Sequence, residues 1–332
     1  MKKQKDVIIT ERDSQIIKQI YYAKLMSVPQ IQAQYWTGSG KFGPLKMCQS
    51  RIKALTDNGY LRRVEPYVRR NETYKPYLYA VGIRSMPILE EEWHIKTKPE
   101  DFAPNSYHNS YDHTRHILAP TDILLAIKRG IVQTQTILDA WMYEKEIKQR
   151  LKKEDEVKVI DPATNTSRTT YVVPDSAFAL IFTKAKLEFL QRSVYFLEID
   201  MGPEPIYSSD WNRTFWDKKV RAYLAYYTKQ TYQAVLKGTY SPVLVVTVSV
   251  TRMEHMRQAA ERLNGGELFW FTTLERITNP QVNMLTAPLW VTAADTTLRS
   301  LISPDEVWGQ APPGSYAAYL NQVGYLNGSG GN

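Results

Sequence analysis

Residues 194–200, Val194-Tyr195-Phe196-Leu197-Glu198-Ile199-Asp200, place two carboxylates in a run that is otherwise apolar. In a strand, alternate side chains share a face, so Val194, Phe196, Glu198 and Asp200 point the same way. A carboxylate on such a face costs free energy unless a cation or hydrogen-bond donors meet it. The neighbouring sequence is therefore read for what could meet them. Upstream, Tyr171-Val172-Val173-Pro174-Asp175 leads into an apolar strand at 177–182, with a basic loop holding Lys184 and Lys186 between the two strands. Further back, residues 134–151 are expected to form a helix with Ile137, Trp141, Ile147 and Leu151 on one face and Glu144 among them. A buried salt bridge would explain Glu144 there, and a metal-binding or catalytic role is the sharper reading.

Downstream, a long helix is predicted from about residue 211 to 235. Lys218 and Lys219 lie near its start, beside Val220, Tyr223 and Leu224. A strongly apolar strand at 243–250 leads to Arg252. A helix at 253–263, a strand at 268–272 and the region around Leu289-Trp290 follow. The order is helix, strand, strand, strand, helix, strand, the layout of the PD-(D/E)xK nuclease fold. In that fold the acids hold a divalent cation, Mg²⁺ or Mn²⁺ by the preference of oxygen ligands, and a lysine orients or activates water. The metal ligands implied are Glu144, Asp175 and Glu198. The strand motif departs from the usual one, because Asp200 stands where the lysine is expected. The lysine must then come from the following helix. Lys219, four residues before Tyr223, is the first choice, and Lys218 the second.

The first quarter of the chain has a different character. Residues 1–84 hold 16 Lys and Arg against 6 Asp and Glu, whereas the remainder holds 26 against 28. The basic excess therefore lies in this quarter, as expected for a part that meets a polyanion. Thr10 with Asp13, and Ser27 with Gln30, resemble capping boxes that start two helices. Pro44 opens a third, with Leu45, Cys48, Ile52 and Leu55 on one face, and Gly59 ends it. Lys46, Gln49, Ser50 and Lys53 lie on the opposite face. Two short strands follow at 61–64 and 77–81, with Arg62, Arg63, Arg69, Arg70 and Lys75 on and between them. Three helices and a basic hairpin make the order of a winged helix-turn-helix. Its third helix would read base edges in the major groove, and the hairpin cations would hold phosphates. Protein–protein contact is the other use of such a domain; the five cations around the hairpin favour double-stranded DNA.

The fold class expected is α/β, α+β overall: a winged helix at 1–84, a linker at 85–115, a restriction-endonuclease-like domain with a central mixed sheet at 116–310, and a loosely ordered tail at 311–332. Within the linker region, Pro87, Pro99, Pro104 and the acids at 90–92 predict little structure. An apolar pattern resuming at His116 predicts a helix to about Gly130. A single cysteine, Cys48, leaves no internal disulfide and fits a reducing compartment. The basic N-terminus lacks an apolar signal core, and no stretch reaches the ~20 apolar residues of a membrane helix. A cytoplasmic protein with no membrane partner is expected.

Together these motifs resemble the replication-relaxation family of plasmids and integrative elements over almost the whole chain. The resemblance rests on Thr10-Glu11-Arg12-Asp13, on Arg51, Leu55 and Gly59-Tyr60-Leu61, on His116 opening a helix, and on Trp141 with Glu144. It continues through Pro174-Asp175, Leu197-Glu198-Ile199-Asp200, Lys219 with Tyr223, and the strand ending at Arg252. That family is similar to MOBC-type relaxases, which join a winged helix to a nuclease-like domain and nick an origin of transfer. The resemblance implies a site of Glu144, Asp175, Glu198 and Lys219, with Mg²⁺ or Mn²⁺, and other conjugation or replication proteins as further partners. Relatives commonly have a histidine followed directly by aspartate; here Ile117 follows His116, and His113 is a nearby alternative. Two functions stay open: a metal-dependent nickase, and a binding protein that regulates plasmid replication or transcription on a retained nuclease scaffold. A phosphotyrosyl relaxase of the His-hydrophobe-His type is set aside, since no two of the five histidines are separated by a single residue.

Overall fold

The computed structural model describes residues 7–36, 43–65, 77–103, 110–134, 136–151, 153–162, 164–182, 192–202, 204–229 and 242–302. The chain divides into two compact units, Met1–Leu125 and Ala126–Asn332.

In the first unit, helices α1 (Glu11–Ala23), α2 (Val28–Tyr35) and α3 (Pro44–Asp57) are joined by the short strand β1 (Met26–Ser27). Both predicted capping boxes form: Thr10 and Asp13 close the start of α1, and Ser27 and Gln30 that of α2. Each box satisfies two backbone N–H groups that the first turn leaves without a partner. Strands β2 (Leu61–Val64) and β3 (Leu78–Val81) complete an antiparallel sheet of order β1-β3-β2. Asp13 is 1% exposed and receives Arg51 of α3, which fastens the third helix to the cap of the first. Ile16, Ile17, Ile20, Cys48, Ile52 and Leu55 are buried, as their spacing predicts; Leu45 is instead 47% exposed.

The region expected to be an unstructured linker packs on α1. It forms short helical turns at Ile83–Ser85, Ile88–Glu92 and Pro99–Phe102. Ser14 donates to Glu92, Trp93 Nε1 donates to Ser14 at 2.7 Å, and Tyr21 donates to Asp101 at 3.0 Å. Prolines here start turns rather than prevent them, because their missing N–H is not needed at a first helical position. Helix α4 (Tyr111–Val132) starts earlier than His116 and carries Pro120 inside it. Its first half joins the first unit: Ile117 packs with Leu25, Val64, Leu78 and Ala80, and Gln30 donates to Leu118 O and Asp122.

The second unit is built on a mixed six-stranded sheet. Its strands are β4 (Thr136–Tyr143), β7 (Ser176–Phe182), β8 (Arg192–Asp200), β9 (Val243–Thr247), β10 (Phe269–Thr273) and β11 (Val291–Thr292), in the order β11-β10-β9-β8-β7-β4. The pairs β4–β7, β7–β8 and β10–β11 are antiparallel, and β8–β9 and β9–β10 are parallel. A separate two-stranded ribbon, β5 (Glu156–Asp161) with β6 (Thr166–Tyr171), is inserted between β4 and β7. Helix α5 (Glu144–Arg150) follows β4. Helices α6 (Trp216–Lys229) and α7 (Val250–Arg262) flank β9, and the short α8 (Leu274–Thr278) follows β10.

The helix expected at 134–151 is therefore a strand running into a short helix. Thr136, Ile137, Trp141 and Tyr143 are β-branched or aromatic, which suits a sheet, and apolar residues four apart did not separate the two alternatives. A bulge between Leu138 and Ala140 breaks the alternation further. Trp141, Phe178 and Tyr195 stack across β4, β7 and β8, with centroids 5.8 and 5.0 Å apart. On the opposite face, Phe196, Val243, Val245, Phe269 and Phe271 pack beneath Trp216, Val220 and Tyr223 of α6 and Met253 and Met256 of α7.

Candidate functional site

Glu198 lies near the end of β8, between antiparallel β7 and parallel β9, on the face covered by α6. Ser176 pairs with Leu197, so the same register puts Asp175 opposite Glu198. Directly opposed residues share a face at roughly 5 Å between Cβ atoms. Asp175 Oδ2 accepts from the Ile199 N–H at 2.7 Å, which turns its carboxylate toward β8.

Helix α6 brings two side chains one turn apart to Glu198. Lys219 Nζ is 3.1 Å from Oε2, and the Tyr223 hydroxyl donates to Oε1 at 2.6 Å. Lys219 also contacts Glu204 Oε2 at 3.0 Å. The helix is held for this by Trp216, which is fully buried against Phe269 and Phe271 and donates its indole N–H to Met256 O at 2.9 Å. Lys218, one residue earlier, points elsewhere: its ammonium donates to the carbonyls of Trp211 and Arg213. Between the two lysines, the structure thus selects Lys219 as the neighbour of Glu198.

Burial pushes the Glu198 carboxyl up to about 7, with the Asp175 charge adding to it and with Lys219 and Tyr223 pulling the other way. For Lys219, burial works against the charged form, but Glu198, Asp175 and Glu204 outweigh it and hold the ammonium above its ordinary value. Tyr223 is raised well above the usual phenol range by burial and by the charge of Glu198. On lowering the pH, the pair thus gains a proton at Glu198 while Lys219 stays a cation.

Glu144 is placed differently from expectation. Its backbone N–H donates to Asp175 O at 2.9 Å, so its main chain is close to the site. Its carboxylate pairs with Lys148 on its own helix, and its side chain is 26% exposed rather than on a buried stripe. Among the described residues, no three His, Cys, Asp or Glu side chains gather where they could hold a metal ion together. Of the expected trio, Asp175 and Glu198 are the two that the strand register sets opposite each other. Asp200, in the position of the missing lysine, is taken by Arg252, whose Nη2 lies 2.7 Å from Oδ2 and also reaches Glu204 O. Glu204 was not foreseen, since nothing in its loop sequence marks it. Tyr223 entered the sequence reading only through its spacing to Lys219; its bond to Glu198 is the new finding.

The residues expected to bind DNA belong to the first unit. Lys46, Gln49, Ser50 and Lys53 are exposed on one side of α3, and Lys53 pairs with Asp57 at 2.6 Å. Arg63 is exposed over the Tyr77 ring, 3.6 Å from its centroid. Arg62 is turned inward onto Ala103 O at 2.6 Å, so it serves the fold. Arg69, Arg70 and Lys75 lie outside the described residues, as do Lys184 and Lys186. His113 and His116 are half-buried on the first turns of α4.

A model of the replication-relaxation family matches residues 17–239 of the 332. The chain belongs to the replication-relaxation family. In this replication-relaxation protein the match runs from within α1 through α6 and includes Glu144, Asp175, Glu198, Lys219 and Tyr223; it stops before Arg252. No curated protein and no solved structure matches the chain. Among the described residues, no helix is long and apolar enough to cross a membrane.

Proposed function

We infer that the chain is a two-part DNA-processing protein of a plasmid or integrative element, in which a winged helix binds double-stranded DNA and a PD-(D/E)xK-like domain nicks it. The observation that carries the cleavage reading is the pairing of Asp175 with Glu198 across β7 and β8, with Lys219 3.1 Å from Glu198. The strand order supports it: three antiparallel strands, then a helix, then a parallel strand. The DNA-binding reading rests on the exposed polar side of α3 and the basic excess of the first quarter.

Two carboxylates suffice for Mg²⁺ or Mn²⁺ when substrate phosphate and water complete the shell. Asp175 and Glu198 would be those ligands, and Glu144 is left out. When bound, the ion would supply an activated water and charge stabilisation at the scissile phosphate. Lys219, kept cationic by Glu198 and Glu204, would orient the phosphate rather than act as a base. Tyr223 would hold Glu198 in one rotamer.

Incubating purified protein with supercoiled plasmid bearing its own element's origin should give open circles with Mg²⁺ or Mn²⁺. Glu198→Ala should abolish this and leave duplex binding intact. Binding without any cutting, with either metal, overturns the cleavage reading. It would favour the second one, a DNA-binding regulator of plasmid replication or transcription. One observation supports that second reading: both Glu198 oxygens are occupied, by Tyr223 and by Lys219.

A further inference from the structure

The β5–β6 ribbon has no place in the functions above, yet it walls a cavity. Arg168 and Thr170 of β6, on the same face as Val159 and Val157 of β5, line a space of ≈ 280 Å³ with Trp211, Asn212 and Lys218. That is close to the smallest ligand pockets, which start at about 300 Å³. The ribbon is anchored by Val157 and Val159, both 3% exposed, which pack into the core beneath α6. The residues of β6 that face the other way are polar and exposed.

The lining is one of donors. Two cations, the Thr170 side of β6 and a carboxamide meet there, and no lining residue is acidic. Lys218 donates only to the main-chain carbonyls of Trp211 and Arg213, so its charge has no carboxylate partner among the described residues. Arg168 donates to Asn212 Oδ1 at 3.1 Å and is 3.6 Å from Asp161, which is one acid shared with a guanidinium that is 42% exposed. The buried Trp211 and Val159 add an apolar floor. Cations with hydroxyl donors suit a phosphate, and an apolar floor beside them suits a deoxyribose.

We propose that this pocket binds the sugar-phosphate backbone of a single DNA strand, with Arg168 and Lys218 contacting one phosphodiester. The proposal rests on the DNA reading above but not on cleavage. Lys218 and Lys219 are consecutive on α6.

The test measures anisotropy of a fluorescein-labelled oligothymidylate with the full chain across a salt series. Arg168→Gln with Lys218→Gln should weaken binding roughly tenfold and lower the slope of log K against log salt by about 0.7, the value for one phosphate no longer neutralised on a single strand. Lys218→Arg should bind as the native chain does, and duplex binding through α3 should be unchanged. Equal affinity and slope in the double variant, at an unchanged melting temperature, would overturn the proposal. If the double variant melts early, Arg168→Lys with Lys218→Arg takes its place, and wild-type binding is then expected; weakened binding in that folded, charge-preserving variant would also overturn it. Competition by inorganic phosphate or thymidine monophosphate at the concentration of the oligomer's own phosphates would overturn it as well, by pointing to an isolated phosphate. Loss of nicking has no bearing on any of these outcomes, so a failure of the cleavage reading is told apart.

Discussion

Replacing Tyr223 by phenylalanine removes one hydroxyl and little volume. The 2.6 Å bond to Glu198 is lost, and Glu198 is 3% exposed, so water does not readily replace it. A hydrogen bond to a charged group contributes about 1.5–3 kcal/mol. Y223F is expected to lose stability of that order at pH 8, where Glu198 is ionised, and less at pH 5, where it is protonated. The same change removes a donor that favours the ionised form. The Glu198 carboxyl should therefore titrate above about 7 in Y223F, as followed by ¹³C NMR of labelled glutamate. Asp13 is the opposite case. Burial raises it, but Arg51 and Thr10 together hold it below the ordinary carboxylate range. A depressed value means that stability is present above the unfolded pKa of about 4 and is lost as pH falls through the folded one. Asp13→Asn should thus destabilise the first unit at neutral pH, and the gap to the native chain should close only in strong acid. Cys48 reports this directly. It is 0% exposed and burial pushes its thiol up to about 12, so a thiol reagent reaches it only when the unit opens. Faster labelling of D13N is the expected result, and equal rates would deny Asp13 this role.

At the scale of elements, the turn from α3 into β2 is set by two glycines. Gly59 has φ 76°, a left-handed conformation that ends the helix at little cost for glycine alone. Gly82 has an ordinary backbone, but a Cβ there would lie 2.2 Å from Gly59 O. The constraint is the crossing of two backbones, where Gly82 N donates to Tyr60 O at 2.8 Å. Gly82→Ala should cost roughly 1–3 kcal/mol by overpacking and should likewise hasten Cys48 labelling. Helix α3 can be tested as a reading element in its own right. Lys46→Gln and Lys53→Gln should each reduce the salt slope of duplex binding by about 0.9 and weaken all sequences alike. Gln49→Ala and Ser50→Ala should alter preference among sequences with little change in slope. If all four changes leave binding untouched, α3 is not the reading helix. The element that sequence alone misassigned, 136–143, became a strand because β7 offers it an antiparallel partner along nearly its whole length. Periodicity within one segment carries no information about such a partner.

Across the whole molecule, charge and chemistry are divided between the two parts. The first quarter carries an excess of ten positive charges, and the buried acids that form a pair lie in the second unit. Ligand binding stabilises the unit that it engages by mass action. Duplex DNA at a hundredfold excess over its Kd should slow Cys48 labelling about a hundredfold, equal to about 2.7 kcal/mol. An unchanged labelling rate would move duplex binding away from the first unit. The parts of this protein that the sequence by itself determined are those encoded by neighbours along the chain. The capping boxes, the glycine stop at Gly59, the buried stripe of α3 and the apolar strands around Glu198 all depend on contacts within a few residues. Even the departure of the strand motif at Asp200 told that a lysine must come from the next helix. Only the tertiary structure decided which lysine, because Lys218 and Lys219 differ by one step around α6 and the packing of Trp216 sets which one faces β8. It alone also paired the Glu144 carboxylate with Lys148, turned Arg62 inward, gave Asp200 to Arg252 and brought Glu204 to Lys219. The outcomes at Arg62, Asp200 and Glu204 depend on residues 15 to 52 positions apart, and local pattern has no means of bringing them together.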